Sequence, residues 1–167
     1  MLLQENNLSP RASVIWLSGL PCSGKTTIAT GIVKLLQSQG IATRLLDGDL
    51  IRKGICSDLG YSEKDRIENI RRIAEISKLF VETGIVTVCA FITPTERLRN
   101  LARGIVGSGQ FTSVFVNAPL NVCEQRDVKG MYRKARLGEI AEFTGVSAPF
   151  EPPMDDALEL DTSTGAD

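Results

Sequence analysis

A glycine-rich run near the start of the chain has the spacing of a phosphate-binding loop. Residues 19–26 read Gly-Leu-Pro-Cys-Ser-Gly-Lys-Thr, which fits the pattern G-x-x-x-x-G-K-[ST] in full. Glycines let backbone N–H groups point into a concave nest around phosphate oxygens, and the following helix N-terminus adds a favourable dipole. Lys25 supplies a positive charge for the β- and γ-phosphates, and the Thr26 hydroxyl can ligate Mg²⁺. The run therefore predicts that the chain binds a nucleoside triphosphate.

Two carboxylates follow the second predicted strand. Asp47 and Asp49 are two residues apart, so an extended chain would direct both to the same side. The carboxyl ends of parallel strands are where such sheets place ligands, and a carboxylate there could hold Mg²⁺ or take a proton from an attacking hydroxyl. A solvated Asp-Gly turn is the alternative. Because the strand pattern of residues 86–91 ends without Asp or Glu, Asp49 is the expected metal partner.

Basic residues gather in two groups after these carboxylates. Guanidinium groups fixed near a phosphate loop suit a second anionic substrate that carries phosphate or sulfate, whereas the alternative is an ordinary charged helix surface. A later glycine-flanked segment could be a lid that closes over phosphates, or simply a solvated helix. The first group is Arg52, Lys53, Arg66, Arg71 and Arg72, and the second is Lys129, Arg133, Lys134 and Arg136.

Apolar strand patterns and helical patterns alternate along the chain, which predicts an α/β fold with a parallel sheet and helices on both faces. Residues 127–153 lose apolar periodicity, and we expect a mobile segment there rather than core. The ends, residues 1–12 and 162–167, are expected to be flexible. The predicted strands are 14–18, 43–46, 85–91, 114–116 and a last short one within 155–160, and the predicted helices are 25–39, 62–83, 94–106 and 119–126.

The composition limits the class of protein and the chemistry available. With 167 residues, 43% hydrophobic and 23% charged, the chain is expected to form one globular domain. A net charge of −1 gives no basic field for nucleic acid, and no apolar run reaches the ~18 residues of a membrane span. The absence of histidine excludes every histidine-based mechanism. Four cysteines without a CxxC pair indicate reduced thiols in a cytoplasmic protein rather than a zinc site.

An ordered set of motifs resembles the adenylylsulfate kinase (APS kinase) family. The resemblance covers about residues 14–153 and implies a three-layer P-loop NTPase fold in a single domain. It further implies transfer of phosphate from MgATP to adenosine 5′-phosphosulfate (APS), a homodimer, and a role in sulfate assimilation. The motifs are the phosphate loop, Asp47-Gly48-Asp49-x-x-Arg52, Asp65-Arg66-x-Glu68-Asn69-Ile70-Arg71-Arg72, Phe91-Ile92-Thr93-Pro94, and the run from Lys134 to Gly145.

The same resemblance implies a role for individual residues. Asp49 resembles the carboxylate that coordinates Mg²⁺ with Thr26 and activates the acceptor hydroxyl, and Thr93 stands where a phosphoenzyme has been proposed. We expect direct in-line transfer, because a single step needs no enzyme nucleophile. The implied ATP-binding residues are Gly19, Leu20, Pro21, Cys22, Ser23, Gly24, Lys25, Thr26, Thr27 and Arg126. The implied APS-binding residues are Asp49, Arg52, Tyr61, Arg66, Asn69, Ile92, Thr93, Lys129 and Phe143, with Tyr61 and Phe143 enclosing the adenine and Lys134 and Arg136 in the lid.

Two other functions stay open at this point. A related kinase could use another nucleotide-like acceptor, and an idle nucleotide-binding module could regulate a partner such as a sulfate-activating enzyme. Intact Lys25, Thr26, Asp49 and Arg66 argue against the idle module. An association or fusion with an ATP sulfurylase is also open.

Overall fold

The computed structural model describes residues 12–154 and 156–164. Its centre is a parallel sheet of five strands in the order β2-β3-β1-β4-β5. The first strand lies in the middle of the sheet, so the loop after it opens at the centre of the carboxyl edge. The strands are β1 (Val14–Ser18), β2 (Thr43–Asp47), β3 (Val86–Ala90), β4 (Phe111–Asn117) and β5 (Leu158–Asp161).

Helices cover both faces of the sheet, as predicted. Three of them begin at a side-chain cap: Asp47, Ser62 and Thr95 each accept a hydrogen bond from a backbone N–H in the first turn that follows. A 3₁₀ turn (Ser108–Gln110) precedes β4. The helices are α1 (Lys25–Ser38), α2 (Gly48–Lys53), α3 (Glu63–Glu82), α4 (Glu96–Val106), α5 (Leu120–Arg126) and α6 (Met131–Arg136).

Two apolar clusters lie on opposite faces of the sheet. On one face, Trp16 stacks on Phe91 and Phe111 with ring centroids 5.5 and 5.7 Å apart, and α3 and α4 cover them. On the other face, α1 packs on Leu17 and Val88. All five residues of β3 are buried, as expected of a strand that is covered on both sides.

Several element boundaries differ from the sequence prediction. Helix α2 was not predicted, α4 begins at Glu96 rather than at Pro94, and β4 and β5 begin at Phe111 and Leu158. The prediction that residues 127–153 lie outside the core is wrong, because α6 lies there and Tyr132 is buried.

The structure describes part of the two ends that are expected to be flexible. Ala12 packs against the core, and the Thr162 hydroxyl lies within hydrogen-bond distance of the carbonyls of Ser23 and Asn117. Residues 1–11 and 165–167, to which the same expectation applied, lie outside the described residues. Among the helices of the described residues, none has both the length and the apolar character needed to cross a membrane.

Candidate functional site

The phosphate loop joins β1 to α1 at the carboxyl edge of the sheet. A Cβ atom on Gly19 would lie 2.4 Å from the Val116 carbonyl oxygen, so only glycine fits there. Gly24 has a φ of 98° and forms the N-cap of α1, a left-handed conformation that favours glycine. Both glycines of the motif are thus required by the backbone, and the loop ends at a helix N-terminus that can receive an anion.

Lys25 is held inside this loop. Its Nζ donates to the carbonyls of Gly19 at 3.1 Å and Leu20 at 2.7 Å. Burial lowers the pKa of Lys25 from 10.5 to about 8, although nearby carboxylates and thiols oppose the shift. The ammonium group therefore has few neutralising partners and is available to the phosphates of a nucleotide.

Thr26 connects the loop to the carboxylates. Its hydroxyl donates to Asp47 Oδ2 at 2.8 Å, while Asp47 Oδ1 accepts from the N–H of Asp49 at 3.0 Å. Asp47 is 7% exposed, which contradicts the solvated-turn alternative. The inference from an extended chain is also wrong, because Asp49 lies in the first turn of α2 and its side chain is 67% exposed. The buried carboxylate contacts the loop directly through Thr26, whereas the exposed one lies near enough to Lys25 to interact with it electrostatically.

Asp49 forms an ion pair with Lys129, from the segment that leads into α6. The hydrogen bond that Lys129 donates to Asp49 raises the pKa of Lys129. Both side chains are more than half exposed, so this pair is easily exchanged for interactions with a bound anion or cation. The structure thus brings together two of the predicted site residues that are 80 positions apart in the sequence.

Arg66 links the start of α3 to the segment around Phe143. Its Nε donates to the Tyr61 carbonyl at 2.8 Å, and its two terminal nitrogens contact the Glu142 carbonyl and the Thr144 hydroxyl. Burial lowers the pKa of Arg66. The predicted aromatic pair is therefore carried by two segments that meet at one guanidinium group.

Arg52 also joins this region, whereas Arg71 and Arg72 of its basic group do not. The Arg52 guanidinium lies 4.4 Å from the centroid of the exposed Tyr61 ring and donates to the Gly60 carbonyl at 2.9 Å. Arg71 and Arg72 instead pair with acidic residues, Glu68 among them. For these two the alternative, a charged helix surface, is correct.

Of three other predicted residues, Asn69 and Thr93 are buried and Ile92 is half-buried. Asn69 is 5% exposed, and its Oδ1 accepts no hydrogen bond within the structure. The Ile92 carbonyl accepts from the first glycine of the loop at 3.2 Å. Thr93 is 2% exposed, its hydroxyl accepts from the Trp16 indole at 2.9 Å, and its carbonyl accepts from Arg99. A hydroxyl engaged in this way is poorly placed to act as a nucleophile.

The predicted lid contains α6 and is attached to the loop by a residue that the sequence analysis missed. Tyr132 is 2% exposed and donates its hydroxyl to the Pro21 carbonyl at 3.0 Å. Its ring meets Phe143 edge-on, with centroids 5.0 Å apart. Arg136 pairs with Glu124 on α5. A lone tyrosine within a polar segment was the only sequence signal for this contact.

Two more residues surround the loop. Arg126, a predicted ATP-binding residue, contacts the Cys22 carbonyl at 3.4 Å through Nη1. Thr162, which lies in the end that is expected to be flexible, donates its hydroxyl to the Ser23 carbonyl at 2.8 Å. Thr27 is exposed in the first turn of α1.

The oxygen groups here fit Mg²⁺ better than a transition metal. Within residues 12–154 and 156–164, no group of three or more His, Cys, Asp or Glu side chains is placed to hold a metal ion. Mg²⁺ in nucleotide sites takes one or two protein oxygens and completes its shell with phosphates and water. A hydroxyl and two carboxylates, those of Thr26, Asp47 and Asp49, meet that requirement.

Comparisons with known proteins agree on one family. A family model described as adenylylsulphate kinase matches residues 11–161. The chain is 56% identical over 160 residues to an adenylyl-sulfate kinase of Bacteroides fragilis, covering 96% of this chain and 79% of that protein. It is 47% identical over 157 residues to that of Marinobacter nauticus, covering 94% and 79%.

A solved structure agrees with these relatives. The APS kinase of Mycobacterium tuberculosis in complex with AMPPNP and APS has a TM-score of 0.89 and 39% identity, covering 93% of this chain and 91% of that one. The predicted parallel sheet with helices on both faces is confirmed by this match.

Proposed function

This chain belongs to the adenylylsulphate kinase family, and we propose that it transfers the γ-phosphate of ATP to the 3′-hydroxyl of APS. The products are ADP and 3′-phosphoadenosine 5′-phosphosulfate. The observation that carries the proposal is the hydrogen bond from Thr26 to Asp47, because it joins the phosphate loop to the helix that bears Asp49. Donor and acceptor groups therefore meet at one edge of the sheet.

The donor side binds and orients the triphosphate. Loop N–H groups surround the phosphate oxygens, and Lys25 exchanges its loop carbonyls for the β- and γ-phosphates. Thr26 and Asp49, with Asp47 behind Thr26, would hold Mg²⁺, which neutralises phosphate charge when it is bound. Lys25 then remains beside the phosphoryl group that is transferred.

The acceptor side supplies a base. Asp49 accepts the proton of the ribose hydroxyl while the oxygen of that hydroxyl forms a bond to the γ-phosphorus. At the same time, the bond between the γ-phosphorus and the oxygen that bridges to the β-phosphate breaks. Asp49 must first leave Lys129, and an anionic substrate offers that ammonium group a replacement partner. The buried, engaged hydroxyl of Thr93 supports direct transfer rather than a phosphoenzyme.

APS is held by groups of complementary chemistry. Arg52 and Arg66 are suited to the phosphosulfate, and the buried Oδ1 of Asn69 is free to accept a hydrogen bond from a substrate hydroxyl. Tyr61 and Phe143 offer ring faces to the adenine from two segments that Arg66 connects. Lys134 and Arg136 belong to the lid over the phosphates.

A coupled assay of ADP production tests the proposal. The purified protein is incubated with MgATP and APS and, in separate reactions, with MgATP and another nucleotide that carries a free 3′-hydroxyl, such as AMP or ADP-ribose. We expect ADP release with APS far above that with the others. ATP binding without phosphate transfer to any acceptor would overturn the proposal in favour of a regulatory module.

The resemblance further supports a homodimer in the cytoplasm. Light scattering on the purified protein tests the first point. Fractionation of the source cells tests the second.

A further inference from the structure

Two hydroxyl groups hold carbonyls of the phosphate loop from outside. The Tyr132 hydroxyl donates to the Pro21 carbonyl at 3.0 Å across 111 residues of sequence. The Thr162 hydroxyl donates to the Ser23 carbonyl at 2.8 Å across 139 residues. Arg126 contacts the carbonyl between these two. Three consecutive carbonyls of the loop are thus engaged by distant side chains.

This arrangement determines where the loop N–H groups point. In a trans peptide the carbonyl and the following N–H point in opposite directions. Fixing the Pro21 carbonyl from outside therefore turns the N–H of Cys22 inward, and fixing the Ser23 carbonyl does the same for the N–H of Gly24. Inward N–H groups are the ones that bind phosphate oxygens in such a nest.

Both hydroxyls are good donors to these carbonyls. Tyr132 is 2% exposed, and burial raises the pKa of its hydroxyl, so it stays protonated. The Thr162 hydroxyl also lies 3.1 Å from the Asn117 carbonyl, but that carbonyl already accepts the Thr162 N–H at 2.7 Å. The single hydroxyl proton is therefore better used on Ser23.

We propose that Tyr132 and Thr162 are positioning residues that hold the phosphate loop in its nucleotide-binding shape before the nucleotide arrives. The inference rests on the proposed function, in which the loop binds ATP, but it concerns only the binding of the phosphate chain and not its transfer. Neither residue needs to touch the nucleotide, because each acts through a loop carbonyl. Since the Tyr132 ring also meets Phe143, one residue connects the donor loop to the acceptor aromatic.

Calorimetric titration of MgADP into hydroxyl-deletion variants tests the proposal. Tyr132→Phe keeps the ring against Phe143, and Thr162→Val keeps the size of the side chain. We expect the Kd for MgADP to rise about 3- to 10-fold in each, the range for one lost hydrogen bond. Thr83→Val is the matched control, because its hydroxyl also donates to a carbonyl at 2.8 Å but lies at the end of α3. Thr162→Ser retains the hydroxyl and is expected to bind like the wild type.

Steady-state kinetics separate positioning from a general structural role. We expect KM for ATP to rise while KM for APS stays near the wild-type value. Wild-type Kd for MgADP in both deletion variants overturns the inference, and so does an equal loss of affinity for APS and ADP. If Tyr132→Phe does not fold, Thr162→Val still decides the question. A wild-type protein that binds MgADP but transfers nothing to APS contradicts the proposed function alone.

Discussion

The donor and acceptor sides of the site are built in different ways. On the donor side, the loop after β1 is fixed by its glycines, by buried Lys25 and by hydroxyls from distant segments. On the acceptor side, exposed charges pair with one another: Asp49 with Lys129, and Arg136 with Glu124. The donor side is complete without a ligand, whereas the acceptor side is held by contacts that a ligand can replace.

This difference indicates how each side responds to substitution. Contacts inside the loop are buried, so their loss affects nucleotide binding and the free energy of unfolding together. Exposed ion pairs contribute only about 0–1 kcal/mol, so their loss affects catalysis without affecting folding. Kinetic and thermal measurements on matched variants therefore distinguish the loss of an exposed ion pair from the loss of a buried contact.

The largest effect is expected for Asp49→Asn, which keeps the shape of the side chain but removes the base and the metal ligand. General base catalysis contributes about 10²- to 10⁴-fold, so kcat should fall by that order while APS still binds. The melting temperature should not change, because the side chain is 67% exposed.

Asp47→Asn is the matched control for that variant. Asparagine has one acceptor oxygen, which can still cap α2, but it lacks the second oxygen that accepts from Thr26. We therefore expect a milder loss of kcat and a lower melting temperature. A dead Asp47→Asn protein beside an active Asp49→Asn protein would reverse the two roles.

Lys25→Ala comes next in size. It removes the charge that follows the transferred phosphoryl group, an electrostatic contribution of about 10²- to 10³-fold in rate. The fold should survive, because the loop backbone is unaltered and burial of the ammonium group opposes folding. Turnover near that of the wild type would contradict the assignment of the phosphate loop.

Phe143→Ala tests the acceptor side at the point where it meets the donor side. Base–aromatic stacking contributes about 1–3 kcal/mol per base, so APS affinity should fall about 5- to 150-fold. ATP affinity without APS should be almost unchanged. The melting temperature should fall, because the ring packs on Tyr132.

Calorimetric titration of each nucleotide separates this role from simple packing. Equal weakening of ATP and APS would mean that Phe143 acts only through the apolar cluster. Tyr61→Phe should be nearly silent in the same titrations, because the exposed ring face makes the contact and its hydroxyl does not.

The smallest effect is a pH dependence of ATP binding. Because burial lowers the pKa of Lys25 to about 8, the free protein loses this charge above pH 8, and bound phosphates restore it by proton uptake. The Kd for ATP should rise with pH above 8, by at most about tenfold per pH unit. Titrations at pH 8.5 in two buffers with different ionisation enthalpies measure the uptake, and Lys25→Arg should abolish it.

The free energy of unfolding of the free protein should rise with pH, whereas the affinity for ATP falls. Between pH 8 and pH 10.5 the unfolded chain binds more protons at Lys25 than the folded chain does. The contribution of this group to the free energy of unfolding therefore increases with pH in that window. Melting curves across this pH window should show a rise in melting temperature with pH that is larger for the wild type than for Lys25→Arg. Equal pH dependence in the two proteins would contradict the prediction.

Local patterns predicted the phosphate loop and its flanking elements well. The strand, the glycine spacing and the helix of residues 14–38 are adjacent in sequence, so their geometry follows from short-range rules. The start of α3 follows a short-range rule too, because Ser62 caps it by accepting from the N–H of Asp65, three positions away.

The rest of the site depends on contacts that no local pattern encodes. Helix α2 has only six residues and forms because Asp47 caps it, so it shows no apolar period. The segment around Tyr132 looked polar and mobile, yet its hydroxyl reaches a carbonyl 111 residues away. Arg66 likewise reaches the Glu142 carbonyl and the Thr144 hydroxyl, which lie 76 and 78 residues away. Such pairings depend on the tertiary fold.

The middle of the phosphate loop carries an unusual residue with a practical use. Cys22 has a φ of 61°, and it is half-buried, whereas Cys56, Cys89 and Cys123 are fully buried. A small alkylating reagent therefore meets one reachable thiol, and a nucleotide in the loop would shield it. The rate of Cys22 alkylation, followed by intact-protein mass spectrometry, should fall as the fraction of protein that binds nucleotide rises. It would therefore measure nucleotide occupancy without an engineered probe.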